Sequence, residues 1–579
     1  MSARRGIVLV LALILLAIGV SVVGSLFLLA GPSAPPSVPS GSTLYLKIRA
    51  PFEEVEPLSL FTQFQTPNTL RSMIDTIRKA KIDARVKTLV IRPEANGALW
   101  AQIQEVRAAL VDFRKSGKPI TAYLEYGGGQ EYYLASAADR VVMIPGGTLA
   151  LTGHASYELF FRGALDKLGV FPDLLHIGDY KTWSNTFAER GFTPAHREMT
   201  QSLNHDFYDQ LVKGIAEGRQ RSEADVIKAI DAGPYLAEDA KAAGLIDAVS
   251  YEDQLDDTAP IQGTRTLDAA TYAKVPLSSL GLGQGPKIAL IYATGTINSG
   301  ESSSDATGGA VLGSETFNQW LRKVRVDPTI RAIVLRIDSP GGSAIASESM
   351  WREMSLTRGL KPLVVSMGNL AASGGYYIAM PADTIVAEPG TITGSIGVVT
   401  GKFVVKGTLD KLGIGEAAVT EGRMAGLESP FTPFSPDERA KLEQQMHAAY
   451  DLFISRVAEA RKTTRERIDA VGQGRVWTGR QAHQLQLVDE LGGLDTAIQI
   501  AKQRAKLDAT KDVQLVVYPP KRTVYDLLAN PLGMTSEAQL SLSMLRRPDA
   551  RMVERVASML KLFRRGETLM LMPNIFWSN

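Results

Sequence analysis

From position 43 onward, the hydrophobic and polar residues follow two alternating periods. Short apolar runs such as 88–92 have the composition of buried strands, and the segments 69–80 and 101–115 place apolar residues at helical spacing. Strands that alternate with helices indicate parallel strands joined by crossover helices. The pattern therefore predicts an α/β fold.

The N-terminal pattern is different. Arg4 and Arg5 precede about 25 uncharged, mostly apolar residues at 6–30. This run is longer than the ~7–15 residues of a signal-peptide core and close to the ~20 that span a bilayer. Because the positive charges precede it, we expect a transmembrane anchor with a cytoplasmic N-terminus and the bulk of the chain outside. A cleaved signal peptide is the alternative.

The chain also contains an internal repeat. Residues 163–170 (GALDKLGV) are matched by residues 407–414 (GTLDKLGI) at an offset of 244 positions, and other pairs recur at that offset. Agreement over about 160 residues indicates two copies of one α/β domain. The predicted organisation is a transmembrane anchor at 1–30, a linker at 31–42, a first copy at 43–255, a linker at 256–286, a second copy at 287–507 and a C-terminal extension at 508–579.

Composition argues against several classes of function. The formal net charge is +2 and no basic stripe is interleaved with aromatic residues, so we expect no nucleic-acid partner. The chain has no cysteine, which excludes disulfides and cysteine metal sites. Its six histidines are scattered and form no close ligand cluster, so we predict neither a metal nor a cofactor.

Candidate chemistry lies where the two copies differ. Ser373 stands in a glycine-rich turn between a predicted strand and a predicted helix, and the first copy has Gly129 at the equivalent position. Small flanking residues lead us to expect an uncovered hydroxyl, as a nucleophile requires. Ser373 is therefore the candidate nucleophile.

Lys181 of the first copy is the candidate general base, because the second copy has Ala425 in its place. Each copy thus keeps one half of a serine–lysine pair. A lysine acts as a base only when it is uncharged, which requires burial. The neighbouring hydroxyls of Thr182 and Ser184 are candidates to orient the uncharged amine.

A third element is a double glycine, Gly341 and Gly342, which follows a predicted buried strand in the second copy only. Together with Gly374 it offers backbone N–H groups for an oxyanion. Asp338 lies just before this loop, and the sequence leaves open whether its carboxylate faces the site.

These segments together resemble the bacterial signal peptide peptidases of the long, duplicated type, the protease IV family. The motifs that carry the resemblance are at 178–181, 339–342, 372–377 and 389–397. The resemblance spans positions 43 to about 506 plus the anchor, and it implies a Clp-protease/crotonase-like fold and a Ser373–Lys181 dyad. It further implies a homotetramer on the extracytoplasmic side of the inner membrane and leftover signal peptides as substrates.

Other hypotheses stay open at this point. A non-catalytic assembly scaffold is one, because the first copy lacks a serine and an oxyanion loop; a crotonase-type acyl-CoA enzyme is another, because that fold shares the oxyanion design. Within the extension, residues 550–563 have the spacing of a basic amphipathic helix, which fits either a membrane surface or packing on protein. We expect the dyad to form within one chain, since the fused copies retain opposite halves.

Overall fold

The computed structural model describes most of the two copies and little of the termini. The described residues are 13–14, 17–19, 21, 36–55, 68–95, 97–257, 260–304, 310–520, 568–573 and 576–578. Most of the predicted anchor and the predicted helix at 550–563 therefore lie outside the described residues. Within the described ranges, no helix is both long and apolar enough to cross a bilayer.

The first half of the chain alternates strands with helices, as predicted. Its strands are β1 (Ser42–Arg49), β2 (Val86–Glu94), β3 (Ile120–Gly127), β4 (Arg140–Leu149), β5 (Ala155–Tyr157), β6 (Phe171–Ile177), β7 (Tyr235–Leu236), β8 (Ala248–Val249) and β9 (Arg265–Asp268). Its helices are α1 (Leu70–Ile82), α2 (Trp100–Arg114), α3 (Gly129–Ala135), α4 (Arg162–Leu168), α5 (Asn185–Ala188), α6 (Pro194–Arg219), α7 (Glu223–Asp231), α8 (Ala237–Ala242) and α9 (Ala269–Ala273).

The second half repeats this alternation. Its strands are β10 (Lys287–Thr294), β11 (Thr296–Asn298), β12 (Ser303–Ser304), β13 (Ala310–Gly313), β14 (Ile330–Ser339), β15 (Gly341–Ser343), β16 (Leu363–Ala372), β17 (Thr384–Ala387), β18 (Ile392–Gly394), β19 (Val398–Val404), β20 (Val476–Thr478), β21 (Glu490–Leu491), β22 (Gln514–Tyr518), β23 (Leu569–Leu571) and β24 (Phe576–Ser578). Its helices are α10 (Ser314–Val326), α11 (Ala344–Thr357), α12 (Gly374–Ala379), α13 (Lys406–Lys411), α14 (Pro436–Arg461), α15 (Arg465–Val471), α16 (Gly479–Gln484) and α17 (Leu494–Arg504).

Each copy has its own central sheet. In the first the order is β7-β4-β3-β2-β1-β9, and in the second it is β20-β18-β16-β14-β10-β22. The strands at the centre of both sheets pair in parallel. Residues 332–337 of β14 are buried without alternation, which is typical of a parallel strand covered by helices on both faces. The predicted α/β architecture is confirmed.

A third sheet joins the two copies. Its order is β12-β13-β11-β15-β23-β19-β6, so β6 of the first copy lies beside β19 of the second. These two strands pair antiparallel along seven positions, from Val398 opposite Ile177 to Val404 opposite Phe171. Because Lys181 follows β6 by only four residues, this pairing carries it into the second copy.

Helix α2 also docks the first copy onto the second. The backbone N–H of Gln102 donates to Asn369 Oδ1 at 3.1 Å, and Gln104 Oε1 accepts from the N–H of Gly390 at 2.7 Å. The first bond fixes the helix against β16, the strand that leads to Ser373, and the second fixes it against the segment before β18.

A fully buried arginine connects the same surfaces. Arg336 of β14 lies 2.9 Å from Glu54 and 2.6 Å from Glu105, and it donates to Ser366 Oγ at 3.0 Å. Both carboxylates belong to the first copy and are themselves buried. Removing one member of such a group leaves uncompensated charge away from water.

We expect Arg336→Ala to destabilise the fold by about 3–5 kcal/mol, because two buried carboxylates lose their cation. Arg331 lies on the same strand but is exposed, so Arg331→Ala is the control and should stay within about 0.5 kcal/mol. Urea unfolding followed by circular dichroism measures both. Equal effects of the two substitutions would show that the buried ion group does not hold the copies together.

Candidate active site

Ser373 occupies a sharp turn between β16 and α12. Its φ is +57°, a conformation that costs energy for any residue with a side chain. The turn is held by the Ser373 N–H, which donates to the Gly394 carbonyl of β18 at 2.7 Å. A strained strand-to-helix turn also presents the nucleophilic serine in α/β-hydrolases.

The expectation that Ser373 is uncovered is wrong. The residue is 0 % exposed. Its small neighbours allow backbone, rather than solvent, to approach: a Cβ added at Gly374 would lie 2.7 Å from Ser347 Oγ and 3.2 Å from Gly342 N. The glycines therefore close the site around the hydroxyl.

The structure brings the lysine of the first copy to the serine of the second. Lys181 Nζ lies 2.8 Å from Ser373 Oγ within a single chain, and both residues are fully buried. The same amine lies 2.9 Å from the Ser395 carbonyl oxygen and 3.0 Å from Ser395 Oγ. The two residues that the sequence predicted as a pair are thus in hydrogen-bond contact.

The surroundings of Lys181 favour its uncharged form. Burial lowers the pKa of the Lys181 amine well below its ordinary value. Asp179, the acidic neighbour that would favour the charged form, is exposed to solvent. The amine can therefore accept a proton at a pH where an ordinary lysine is charged.

Two glycines make room for the lysine side chain. A Cβ added at Gly474 would lie 2.5 Å from Lys181 Cα, and one added at Gly397 would lie 3.1 Å from its Cδ. Gly474 also has φ +78°, in the left-handed region that favours glycine. Both glycines belong to the second copy, so the second copy provides the space that a side chain of the first copy occupies.

Thr182 and Ser184 do not orient the amine, contrary to the prediction. Their hydroxyl oxygens are buried and hydrogen-bond to no group of the described residues. Both belong to a short 3₁₀ turn, Thr182–Ser184, whereas the Lys181 side chain leaves at the start of this turn toward the second copy. Sequence neighbours in so tight a turn point in different directions.

Ser395, which was not among the residues predicted from the sequence, orients the Lys181 amine instead. Like Ser373, it has a positive φ, +51°. The available signal was the repeat: at the offset of 244, the counterpart of Ser395 is Leu151, so this hydroxyl too is confined to the copy that carries the serine.

The candidate oxyanion glycines lie together. Gly341 and Gly342 have φ values of +100° and +157°, and a Cβ added at Gly341 would lie 2.8 Å from Gly374 N. Gly341 donates its N–H to Ser339 Oγ at 3.2 Å, which orders the loop. The backbone N–H groups that the sequence singled out are thus adjacent to each other and to Ser373.

Asp338 contacts the strand that precedes the nucleophile. Its Oδ1 accepts from the N–H of Leu370, three residues before Ser373, at 2.8 Å. Burial, together with the nearby Glu54 carboxylate, raises the pKa of Asp338 to about 7. Asp338 therefore fixes β16 against β14. Across the described residues, no group of three or more potential metal ligands is found.

Comparisons with known proteins identify the family of the chain. The model of peptidase family S49 matches residues 112–262 and 356–508, one stretch in each copy. The chain is 33% identical over 502 residues to serine protease SPPA, chloroplastic, of Arabidopsis thaliana, covering 85% of this chain and 73% of that protein. It is 34% identical over 487 residues to Protease 4 of Salmonella typhi, covering 82% and 77%. Among solved structures, ClpP1 from Listeria monocytogenes shares 14% identity over 35% of this chain and 91% of that chain, at a TM-score of 0.22.

The rate at which a fluorophosphonate probe labels Ser373 should rise with pH. At low pH Lys181 is charged and cannot take the serine proton; labelling increases as the pH passes the lowered pKa and levels off well below about 10.4, the value of an ordinary lysine. Labelling reactions quenched at fixed times between pH 5 and 10 measure this pH dependence. A midpoint near that of free lysine, or the same profile in Lys181→Ala, would contradict the assignment.

Gly474→Ala should slow labelling about 100-fold, because a misplaced base costs rate even at small displacements. Gly413→Ala is the matched control, since Gly413 also has a left-handed φ of +69° but has open space around its Cβ position. Both variants introduce an alanine at a left-handed position, so backbone strain is matched between them. Equal labelling rates would therefore show that the close approach of Gly474 to Lys181 does not position the base.

Proposed function

Because the chain belongs to peptidase family S49 and is thus a serine protease, we propose that Ser373 is its nucleophile and Lys181 its general base. The observation that carries this proposal is the 2.8 Å contact between Lys181 Nζ and Ser373 Oγ, made by a fully buried amine. We propose further that its substrates are short apolar peptides, including signal peptides already cleaved from secreted proteins.

In the proposed mechanism the uncharged Lys181 amine accepts the Ser373 proton while Ser373 Oγ attacks the peptide carbonyl. The N–H of Gly374, together with that of Gly341 or Gly342, stabilises the oxyanion. The lysine ammonium then protonates the leaving amine. Water, activated by the same amine, hydrolyses the acyl-enzyme.

Ser395 is the positioning residue in this scheme. An uncharged amine has two N–H donors and one lone pair, and its two donors match the carbonyl oxygen and the hydroxyl oxygen of Ser395. The lone pair is then directed at the remaining contact, the Ser373 hydroxyl. Ser395 therefore selects the orientation in which the base can accept a proton.

The setting of the enzyme is proposed from the sequence. The apolar run 6–30, preceded by Arg4 and Arg5, supports a single-pass anchor in the inner membrane with the peptidase copies on the extracytoplasmic side. The domain boundaries at 43–255 and 287–507 and the absence of a cofactor are proposed from the sequence pattern, and the homotetramer is proposed from the family resemblance.

The scaffold hypothesis no longer stands. It rested on the absence of a serine and an oxyanion loop from the first copy, but that copy supplies the buried Lys181 to the serine of the second. Both copies match the peptidase family. No feature of the described residues favours an acyl-CoA substrate.

Ser373→Ala and Lys181→Ala should each lower cleavage of an apolar fluorogenic peptide by at least about 10³-fold, because neither group works without the other. Lys323→Ala, at an exposed helix position, is the control and should leave the rate unchanged.

Co-expression of Ser373→Ala with Lys181→Ala tests whether the pair forms within one chain. Since Lys181 contacts Ser373 of its own chain, the mixture should stay inactive. Activity restored by mixing would show that the dyad forms between subunits.

A further inference from the structure

The residue Arg475 lies where the two halves of the proposed dyad meet. It follows Gly474, which lies against the backbone of Lys181. Its own carbonyl accepts from the N–H of Ser395 at 2.7 Å, and its N–H donates to the Gly472 carbonyl at 2.8 Å. The backbone of Arg475 therefore holds Ser395, the residue that orients the Lys181 amine.

The side chain of Arg475 holds the segment that carries the base. Its guanidinium lies over the ring of Tyr180, the residue before Lys181, at 4.7 Å from the ring centroid. It also lies over the ring of Trp477, at 4.4 Å. Aromatic faces attract a cation, and they do so more strongly when the cation is shielded from water. The Arg475 side chain is only 15% exposed, so both contacts help to hold the first copy on the second.

A carboxylate on helix α6 completes this arrangement. Glu198 Oε2 accepts from the Tyr180 hydroxyl at 2.7 Å, and Glu198 Oε1 accepts from Arg475 Nη1 at 2.8 Å. The bonds from Tyr180 and Arg475 hold the pKa of the Glu198 carboxyl below its ordinary value. The planar guanidinium is therefore fixed by an aromatic face and by a carboxylate at the same time.

The second ring that Arg475 contacts belongs to the strand pair that holds the nucleophile. The indole N–H of Trp477 donates to the Val471 carbonyl at 2.9 Å, which fixes the ring. Trp477 lies on β20, which pairs antiparallel with β18. Strand β18 ends at Gly394, whose carbonyl accepts from the N–H of Ser373. The guanidinium thus bridges the segment of the base and the strands of the nucleophile.

Each side chain of this network is absent from the other copy. The counterparts in the repeat, at offsets of 244 and 242 positions, are Met424 for Tyr180, Ala440 for Glu198 and Gly233 for Arg475. The tyrosine and the glutamate belong to the copy with the lysine, and the arginine belongs to the copy with the serine. The network is therefore divided between the copies in the same way as the dyad.

We propose that Arg475 is a positioning residue for the dyad: its backbone fixes Ser395, and its guanidinium fixes the segment that carries Lys181. This inference rests on the proposed function, because it assigns Arg475 a part in setting the geometry of the proposed base. The two constraints act on one amine, the first through its hydrogen-bond partner and the second through its backbone. Together they set the distance from the amine to Ser373.

The contribution of Arg475 is one of placement more than of stability. The Glu198 side chain is 57% exposed, and ion pairs at such positions contribute little to the free energy of folding. A base that is displaced even slightly from its contact distance nevertheless costs rate. Loss of the Arg475 side chain should therefore disturb the site while the fold persists.

The pH dependence of fluorophosphonate labelling at Ser373 tests the proposal. Arg475→Ala removes the contact with Tyr180, so water reaches the Lys181 amine more easily and the pKa of the amine rises toward its ordinary value. The midpoint of labelling should therefore move up by about one pH unit. The plateau rate should fall about tenfold, because the base is no longer held at contact distance.

Arg480→Ala is the matched control. Arg480 is also an arginine of the second copy that pairs with a carboxylate on α6, Asp206 at 2.6 Å, and its side chain is 20% exposed. Its substitution should leave the midpoint and the plateau rate unchanged. Equal shifts in the two variants would overturn the proposal, because any lost pairing between the copies would then disturb the base.

Two further variants separate position from charge. Arg475→Lys keeps the positive charge but lacks the planar group, so it should behave like Arg475→Ala. Tyr180→Leu keeps the arginine but removes a ring that the guanidinium contacts, and it should also raise the midpoint. This variant keeps the proposal testable if Arg475→Ala folds poorly. A native midpoint in both variants would overturn the proposal, since loss of charge alone would then explain the effect of Arg475→Ala.

Lys181→Ala, measured alongside, separates this inference from the proposed dyad. If Lys181→Ala is not labelled but Arg475→Ala keeps the native midpoint, the dyad stands and the positioning role is wrong. If Lys181→Ala is labelled at the native rate and with the native pH profile, the dyad is wrong and the inference fails with it. Urea unfolding of the same proteins identifies the variants that are folded and can be compared.

Discussion

Everything at the site depends on keeping a lysine amine out of water. An amine that carries a proton cannot accept one from Ser373, and only burial lowers the pKa of Lys181 far enough to remove that proton. One copy alone cannot supply this burial, because the lysine reaches beyond its own sheet. The seven-residue pairing of β6 with β19 covers it with the second copy. If Ser373 and Lys181 act as proposed, the separation of the two residues between the copies makes catalysis depend on correct docking of the copies.

The surface between the two copies buries charged groups, and their loss of hydration costs free energy. Arg336 is fully buried with Glu54 and Glu105, and burial raises the pKa of Glu388 to about 8 through loss of hydration and the nearby Glu105. Groups of this kind are often no more stabilising than an apolar core would be. Their geometry, however, is directional, whereas apolar contacts tolerate sliding. We therefore interpret the buried charges as fixing the register of the two copies, on which a 2.8 Å contact depends.

The sequence predicted the parts of this structure that are local or repeated. The periodicity predicted strands and helices because burial of their faces produces a recognisable pattern of apolar residues. The repeat drew attention to Ser373 and Lys181 because the first copy lacks the serine and the second lacks the lysine. The third sheet was out of reach, since pairing of β6 with β19 and insertion of β23 join segments that are far apart in the chain. The wrong prediction for Thr182 and Ser184 has a related cause. Both residues are close to Lys181 along the chain, but their hydroxyls do not contact its amine in space.

Burial and access place opposite demands on Ser373. A dry site keeps Lys181 uncharged and strengthens the oxyanion donors, yet a peptide has to enter it. Water that reached the Lys181 amine would restore its hydration, and the pKa of the amine would rise. Strand β23 lies between β15 and β19, and its two leucines, buried in an apolar cluster, help to exclude water beside the site. A peptide that reaches Ser373 therefore has to keep water away from Lys181 as it enters, because the proposed base acts only while its amine is uncharged.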